Sequence, residues 1–253
     1  SPSNTSKDPI NFDNMIVLHD ITERKDAETA LSRRESIMSA ISLTAEQFLK
    51  ETTWEHNVPA VLEKIGQAVN VSRIFVVMNY TDENNILYSS LCYEWAAPDV
   101  TPQINNLSLR HIPLQQAGFN RWEKELSNNL PIYGLIEEFP KSEQNLFKLQ
   151  GSISVAAMPI FVENQWWGFI MFDECRNKRH WTDIELKALR TTASIFGSAE
   201  SRARAEQKLV RRQKALGLLQ DIVREALQAK DLRSMAENLV DRLAKLISAN
   251  ECS

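Results

Sequence analysis

The stretch SISVAAMPIFVENQWWGFIMFD, residues 152–173, constrains the fold more than any other part of the chain. Two apolar runs flank a polar break at Glu163, Asn164 and Gln165. Each run has the length of a strand and is too short for a buried helix, and a polar break between two such runs is a hairpin signal. Alternation leaves no wet face: Ile153, Val155, Ala157 and Phe161 fall on one side, Ala156, Met158, Ile160 and Val162 on the other. A strand that is apolar on both sides is covered on both sides. The hairpin is therefore the middle of an antiparallel sheet with layers above and below it, and the remaining segments must supply that cover.

At 253 residues, 43% hydrophobic and 25% charged, the chain has material for one good core and further elements. A formal net charge of -4 speaks against nucleic acid as a partner. Cys92, Cys175 and Cys252 are odd in number and widely spaced, so no disulfide framework is expected and a reducing, cytoplasmic setting is. The longest apolar runs are broken by Pro159 or by the polar turn, far short of a membrane span. The opening SPSNTSKDPINFD lacks the apolar core of a signal peptide. Direct membrane contact is not expected of this chain, and any membrane segment of the parent protein lies outside it.

Taken in order, residues 14–19 (NMIVLH) form a short strand, followed at once by DITERK. Asp20 or Thr22 can cap a helix there, with Glu23 and Asp26 in its positive first turn. From residue 22 to about 51 the apolar positions Ala27, Ala30, Ile37, Ile41, Ala45 and Phe48 are spaced by three, four or seven, with Arg34 interrupting the seam. So narrow a stripe suits a two-stranded coiled coil, or one side of a helix lying on its own domain. A second helix carries a full core stripe, Val58, Val61, Leu62, Ile65, Ala68 and Val69, with Pro59 near its start where a missing N–H costs least. Strands follow at 73–80 and 86–95, then a loop at about 96–117, a short helix at 119–126, a strand at 131–135 and a helix at 141–149. After the hairpin, Thr182 caps a long helix with Asp183 and Glu185 in its first turn. Leu189, Thr192, Phe196, Ala199 and Ala203 follow one heptad track; Leu209, Leu216, Leu219, Val223 and Ala226 follow another, shifted by one residue.

The chain also matches itself without a gap. One constant offset pairs Leu31-Ser32-Arg33-Arg34 with Leu209-Val210-Arg211-Arg212, and Ile41, Leu62, Ile65 and Val69 with Leu219, Val240, Leu243 and Ile247. A tandem unit of linker helix plus domain explains this, as does chance likeness of two amphipathic helices.

Two resemblances emerge from these residues. The strand ending in DITERK before a charged helix looks like the exit of a PAS domain. Tyr93-Glu94-Trp95, Pro102-Gln103-Ile104, Ser154 with Pro159, Gly168-Phe169, Phe172-Asp173, and Trp181-Thr182 with Asp183 and Glu185 together resemble a GAF domain of the kind that follows PAS domains in bacterial sensor kinases. The resemblance implies an α+β fold: a six-stranded antiparallel sheet between helical layers, with a pocket on one face and long flanking helices of coiled-coil type. On that basis residues 1–20 are the tail of a PAS-like domain, 21–51 a linker helix, 52–200 the GAF domain, 201–229 a second linker helix, and 230–253 the truncated start of a second GAF domain.

Known chemistries of such domains fit poorly. The cyclic-nucleotide signature N-K, F-x-x-x-D-E reads here as Asn177-Lys178, then Trp181 with Glu185-Leu186, so half of its positions differ. Bilin attachment uses a cysteine often followed by histidine, whereas Tyr93 follows Cys92 and Arg176 follows Cys175. A free methionine sulfoxide reductase would need Cys92 and Cys175 as activated thiols close together. Cys175 and His180 are too few for structural zinc, His56 and Pro59 have the wrong spacing for a phosphoacceptor helix, and the scattered glycines make no phosphate loop. The basic run at 202–214 reads as a solvated helix face or a partner contact. No cofactor and no metal are expected.

The candidate lining of an apolar pocket with a few aimed polar groups is Glu94, Trp95, Trp122, Ser154, Phe172 and Asp173. On the alternative reading the aromatics are core, and Glu94 and Asp173 cap strand ends. The function expected is a non-catalytic sensor module in a two-component signalling protein such as a histidine kinase. An unidentified small ligand would bias the packing of the flanking helices, and a homodimer would relay the change to an output domain. A ligand-free dimerisation scaffold and the reductase are the alternatives.

Overall fold

The structure is a computed structural model that describes residues 54–228 continuously, together with residues 25, 31–32, 35–46 and 48. The PAS-like strand and turn expected at 14–24 and the second repeat expected at 230–253 lie outside the described residues.

In chain order the elements are helix α1 (Val58–Val69), strands β1 (Arg73–Thr81), β2 (Leu87–Ala96) and β3 (Ile112–Pro113), helix α2 (Asn120–Ser127), strand β4 (Ile132–Leu135), helix α3 (Lys141–Leu149), strands β5 (Ser154–Val162) and β6 (Gln165–Glu174), and helix α4 (Asp183–Gln228). The strands form one six-stranded sheet in the order β3-β2-β1-β6-β5-β4. Every pairing is antiparallel. The β5–β6 hairpin occupies the interior of the sheet, as its two apolar faces require. Its turn is tighter than the polar break suggests: Val162 pairs with Gln165, leaving Glu163 (φ 49°) and Asn164 (φ 65°) as the two left-handed residues. Positive φ at both central positions is the demand of a type I′ hairpin, whose twist matches that of the strands. Strand β3 lies inside the segment expected as loop. With two residues, one of them Pro113, it has no alternating pattern to read and survives only as an edge.

Two differently built layers cover the sheet. On one face lie α1 and residues 183–201 of α4. Helix α1 buries Val58, Val61, Leu62, Ile65, Gly66 and Val69. It stops at Asn70, which takes a left-handed conformation, and the Arg179 guanidinium donates to the freed carbonyls of Val69 and Asn70. Gly66 admits the Trp95 ring, since a Cβ there would lie 2.2 Å from it. Gly197 likewise lets α4 reach the backbone of β5: an added Cβ would stand 2.3 Å from the Phe161 carbonyl oxygen. Thr182 and Glu185 close the start of α4 as a capping box, the Thr182 N–H donating to Glu185 Oε2 (2.9 Å) and the Glu185 N–H to Thr182 Oγ1 (3.3 Å).

The helical residues 35–46, with Phe48, join this layer. Ile37, Ala40, Ile41, Thr44 and Phe48 are buried, so their stripe is covered within one chain. Phe48 packs edge-on against Trp54 and Phe196, with centroids 5.6 and 5.0 Å apart. The Trp54 ring in turn meets Tyr93 and Trp167.

The opposite face is covered by α2, α3 and the segment between β2 and α2. Its core includes Phe75, Leu91, Phe119, Trp122, Phe147 and Phe169. Beyond residue 201, α4 continues as a helix to Gln228 and exposes Leu209, Val210, Leu216, Leu219 and Val223. Among the described residues no helix is long and apolar enough to cross a membrane.

Candidate functional site

Strand alternation assigns the faces. Phe75 and Val77 of β1, Leu91 of β2, and Phe169 and Met171 of β6 project towards α2 and α3. There, with Phe119, Trp122 and Phe147, they line a half-open cavity of about 60 Å³. An apolar cavity of roughly 150 Å³ accommodates benzene, so this one is the smaller of the two. Its only polar lining residues are Ser89 and Gln150.

The cover over the cavity is fixed by one buried carboxylate. Glu143 of α3 accepts from Trp122 Nε1 (2.9 Å) and from Arg121 Nε (3.0 Å) of α2, locking the two short helices together. Trp122 stacks on Phe147 (5.5 Å) and meets Phe169 (5.7 Å) and Phe119 (5.8 Å).

At the end of the same sheet face, Arg73 and Asp173 form a buried ion pair, the Arg73 Nε lying 3.0 Å from Asp173 Oδ2. Arg73 also donates to the carbonyls of Thr101 and Gln150, and the Ser152 hydroxyl donates to Asp173 (2.9 Å). Burial pushes the Asp173 carboxyl up, while the Arg73 charge and the Arg73 and Ser152 hydrogen bonds pull it down. The guanidinium thus ties β1 and β6 to both loops that flank the cavity.

The six candidate residues fall into three groups. Trp122 lines the cavity. Glu94 and Asp173 lie on the same sheet face outside its lining. Glu94 accepts from the backbone N–H groups of Gln103 (2.8 Å) and Ile104 (2.6 Å), anchoring the loop after β2; burial raises its pKa and those two donors oppose the rise. Trp95, Ser154 and Phe172 point to the opposite face. Trp95 packs on Gly66, and Phe172 is fully buried opposite Ile74. The Ser154 hydroxyl donates to the Arg179 carbonyl (2.7 Å) and accepts from Trp181 Nε1 (2.9 Å).

Neither described thiol is activated. Cys92 is the extra residue of a bulge between the pairs Val76–Tyr93 and Val77–Leu91, and burial pushes its thiol up. Cys175 is pushed up to about 12 by burial first and by the Asp173 charge second. A nucleophilic cysteine needs the opposite shift. Among the described residues no group of three or more His, Cys, Asp or Glu is placed to hold a metal.

The sequence pattern of the GAF domain matches residues 54–199. The chain belongs to the GAF domain family. Over 209 residues this GAF chain is 34% identical to the methanogenesis regulatory histidine kinase FilI of Methanothrix harundinacea (strain 6Ac), a match covering 83% of the chain and 23% of that protein. Among solved structures, the phycoerythrobilin-bound GAF domain from a cyanobacterial phytochrome has a TM-score of 0.55 at 14% identity, covering 69% of this chain and 98% of that one. A far-red-absorbing dark state with bound biliverdin IXa has a TM-score of 0.54 at 16% identity, covering 65% and 99%. At these identities the likeness to the bilin proteins is one of fold.

Sequence reasoning passed over Ser89 and Gln150. Both carried a signal. Ser89 shares the inward alternation of Leu91 on β2, and Gln150 continues the helical spacing of Leu146 and Phe147, so each is a polar residue at an apolar position.

Proposed function

We propose that this GAF domain is the regulatory sensor module of a cytoplasmic signalling protein, with a small ligand in the cavity and an output domain of histidine-kinase type. One observation carries the reading. The strands that line the cavity with Phe75 and Met171 present Ile74 and Phe172 to the opposite face, beneath the helices. A change of volume on one side of β1 and β6 therefore reaches α4 through the thickness of a single sheet. The incoming helical segment meets α4 at the contact of Phe48 with Phe196, so both flanking helices feel the same displacement. In the parent protein these helices connect a PAS-like domain upstream with a second GAF domain downstream.

The partner in this relay is a second copy of the chain. Leu209, Leu216 and Val223 are exposed and recur every seven residues, with Leu219 three beyond Leu216, the a/d spacing of a coiled-coil seam. Nucleic acid and direct membrane contact have no part in it. A bilin such as the fold neighbours carry is many times larger than a cavity of about 60 Å³, and the raised thiols oppose the reductase reading. The small cavity favours one rival, a scaffold whose pocket is occupied by its own side chains.

Sedimentation of the chain and of a Leu216→Glu, Leu219→Glu variant tests the relay. The parent chain should be dimeric and the variant monomeric with unchanged circular dichroism. A dimer that survives both charges removes the seam, and with it the proposed route of the signal.

A further inference from the structure

The wall of the cavity limits what can occupy it. Although Ser89 and Gln150 stand in that wall, the surface that faces the void is almost wholly apolar. The Ser89 hydroxyl is spent on Asn79 Oδ1 at 2.7 Å. No charged side chain lines the cavity, and the buried charges of this layer have partners of their own, Glu143 with Arg121 and Trp122, Asp173 with Arg73. Of the lining residues only Ile112 and Leu146 are part-exposed, and both are apolar, so the way in offers no polar anchor either. A hydroxyl, an amide or a charge brought against such a wall loses its water and gains no partner. A hydrocarbon leaves water favourably and gains dispersion contacts with the side chains around it. Apolar cavities take up guests such as xenon and benzene on these terms.

We infer that the cavity takes a small molecule with no hydrogen-bonding group, of the light-hydrocarbon class, held by contact alone among Phe75, Leu91, Phe169 and Met171. The inference rests on the sensor reading above and deepens it by naming the chemistry of the ligand. Selection of this kind is by volume and by the absence of polar atoms. The guest fills space beside Phe75 and Met171, whose neighbours in the chain, Ile74 and Phe172, stand on the opposite face of the sheet. A close-packed interior passes such a change of volume on as displacement.

The test titrates the full chain with three probes, xenon, propane and 2-propanol. NMR follows the methyl signal of Met171 in the cavity wall and the backbone amide signal of Phe196 on α4. Propane and 2-propanol share a carbon skeleton and differ by one hydroxyl, and a hydroxyl desolvated without a partner costs about tenfold or more in affinity. Expected are saturable shifts of Met171 with xenon and propane, binding of 2-propanol weaker than that of propane by about tenfold or more, and an accompanying shift of Phe196. 2-Propanol binding as tightly as propane overturns the apolar ligand class and leaves the sensor reading standing. A shift of Met171 with none at Phe196 leaves the ligand class standing and overturns the relay to α4. A Met171 signal that responds to none of the three probes overturns both.

Discussion

The two faces of the sheet are made from the same strands, yet they are packed to different tolerances. Under α1 and α4 there is no slack: a single Cβ at Gly66 or Gly197 would lie closer than 3 Å to a ring or a carbonyl. Under α2 and α3 the residues are large and aromatic, and they still leave about 60 Å³ empty. The difference follows from the cover. Continuous helices can bring their backbones down onto a sheet wherever glycine permits, whereas helices of eight and nine residues joined by loops leave gaps that bulky rings span incompletely. A rigid face and a yielding face are thus consequences of element length. The contrast can be broken at named residues.

The largest effect belongs to the pair that holds the loops over the yielding face. Arg73→Met leaves the Asp173 carboxylate buried without its counter-charge and frees the Gln150 carbonyl, which should cost about 3–5 kcal/mol in a denaturant melt. Replacing both partners, Arg73→Met with Asp173→Leu, removes the stranded charge and should recover most of that loss. A double variant no more stable than Arg73→Met alone would mean that the loops depend on the guanidinium's hydrogen bonds and not on the charge pair.

Much of this frame was legible in the sequence because it rests on periodicity. The doubly apolar hairpin shows in the length of its two runs and the polar break between them, the α1 stripe shows in its 3.6-residue period, and helix α3 falls at 141–149 as expected. What was not legible rests on neighbours distant in the chain. Nothing local to Gly66 or Gly197 names Trp95 or the Phe161 carbonyl as the atom that excludes a Cβ. Arg73 opens an apolar strand and reads as a boundary residue until Asp173, a hundred residues away, is placed beside it. The candidate site divided between the faces for a related reason. Ser154 and Asp173 stand on different strands, and only the register, with Asp173 opposite Val155, decides which of them shares a face with Trp122.

Cys175 measures how well the polar end of the yielding face is sealed. Its thiol, held near 12 against an ordinary 9.0, yields about a thousandfold less thiolate at pH 8, and the greater nucleophilicity of a more basic thiolate returns roughly twentyfold. Iodoacetamide should therefore modify Cys175 about fiftyfold more slowly in the folded protein than in urea, read by mass spectrometry with Cys92 and Cys252 replaced by serine. Because the folded value lies above the unfolded one, the thiol's contribution to stability is complete below pH 9 and is lost as pH climbs from 9 towards 12. Equal alkylation rates would show that this end opens freely. On the opposite face, Gly197→Ala gains helix propensity of about 1 kcal/mol but drives a methyl into the Phe161 carbonyl. Because the obstacle is sheet backbone and cannot rotate away, overpacking should cost about 2–3 kcal/mol, and the net should be a loss of about 1–2 kcal/mol in the same melt. A variant as stable as the parent would mean that the rigid face has slack after all.

The smallest effect sharpens the comparison most. Val77→Ile adds one methylene beside the cavity, the same order of added volume as Gly197→Ala, but on the face that has room for it. If the void receives the new group, its burial contributes about 0.8 kcal/mol, set against minor rotamer strain. The expected outcome is a denaturant midpoint unchanged or raised, within about 1 kcal/mol of the parent. The same variant should bind xenon less well, because the methylene occupies the space the probe would take. A loss of about 2 kcal/mol would put the two faces on equal terms and leave the yielding face without its distinguishing property. A stable variant with undiminished xenon binding would place the probe away from Val77 and separate the cavity's packing role from its capacity to receive a ligand.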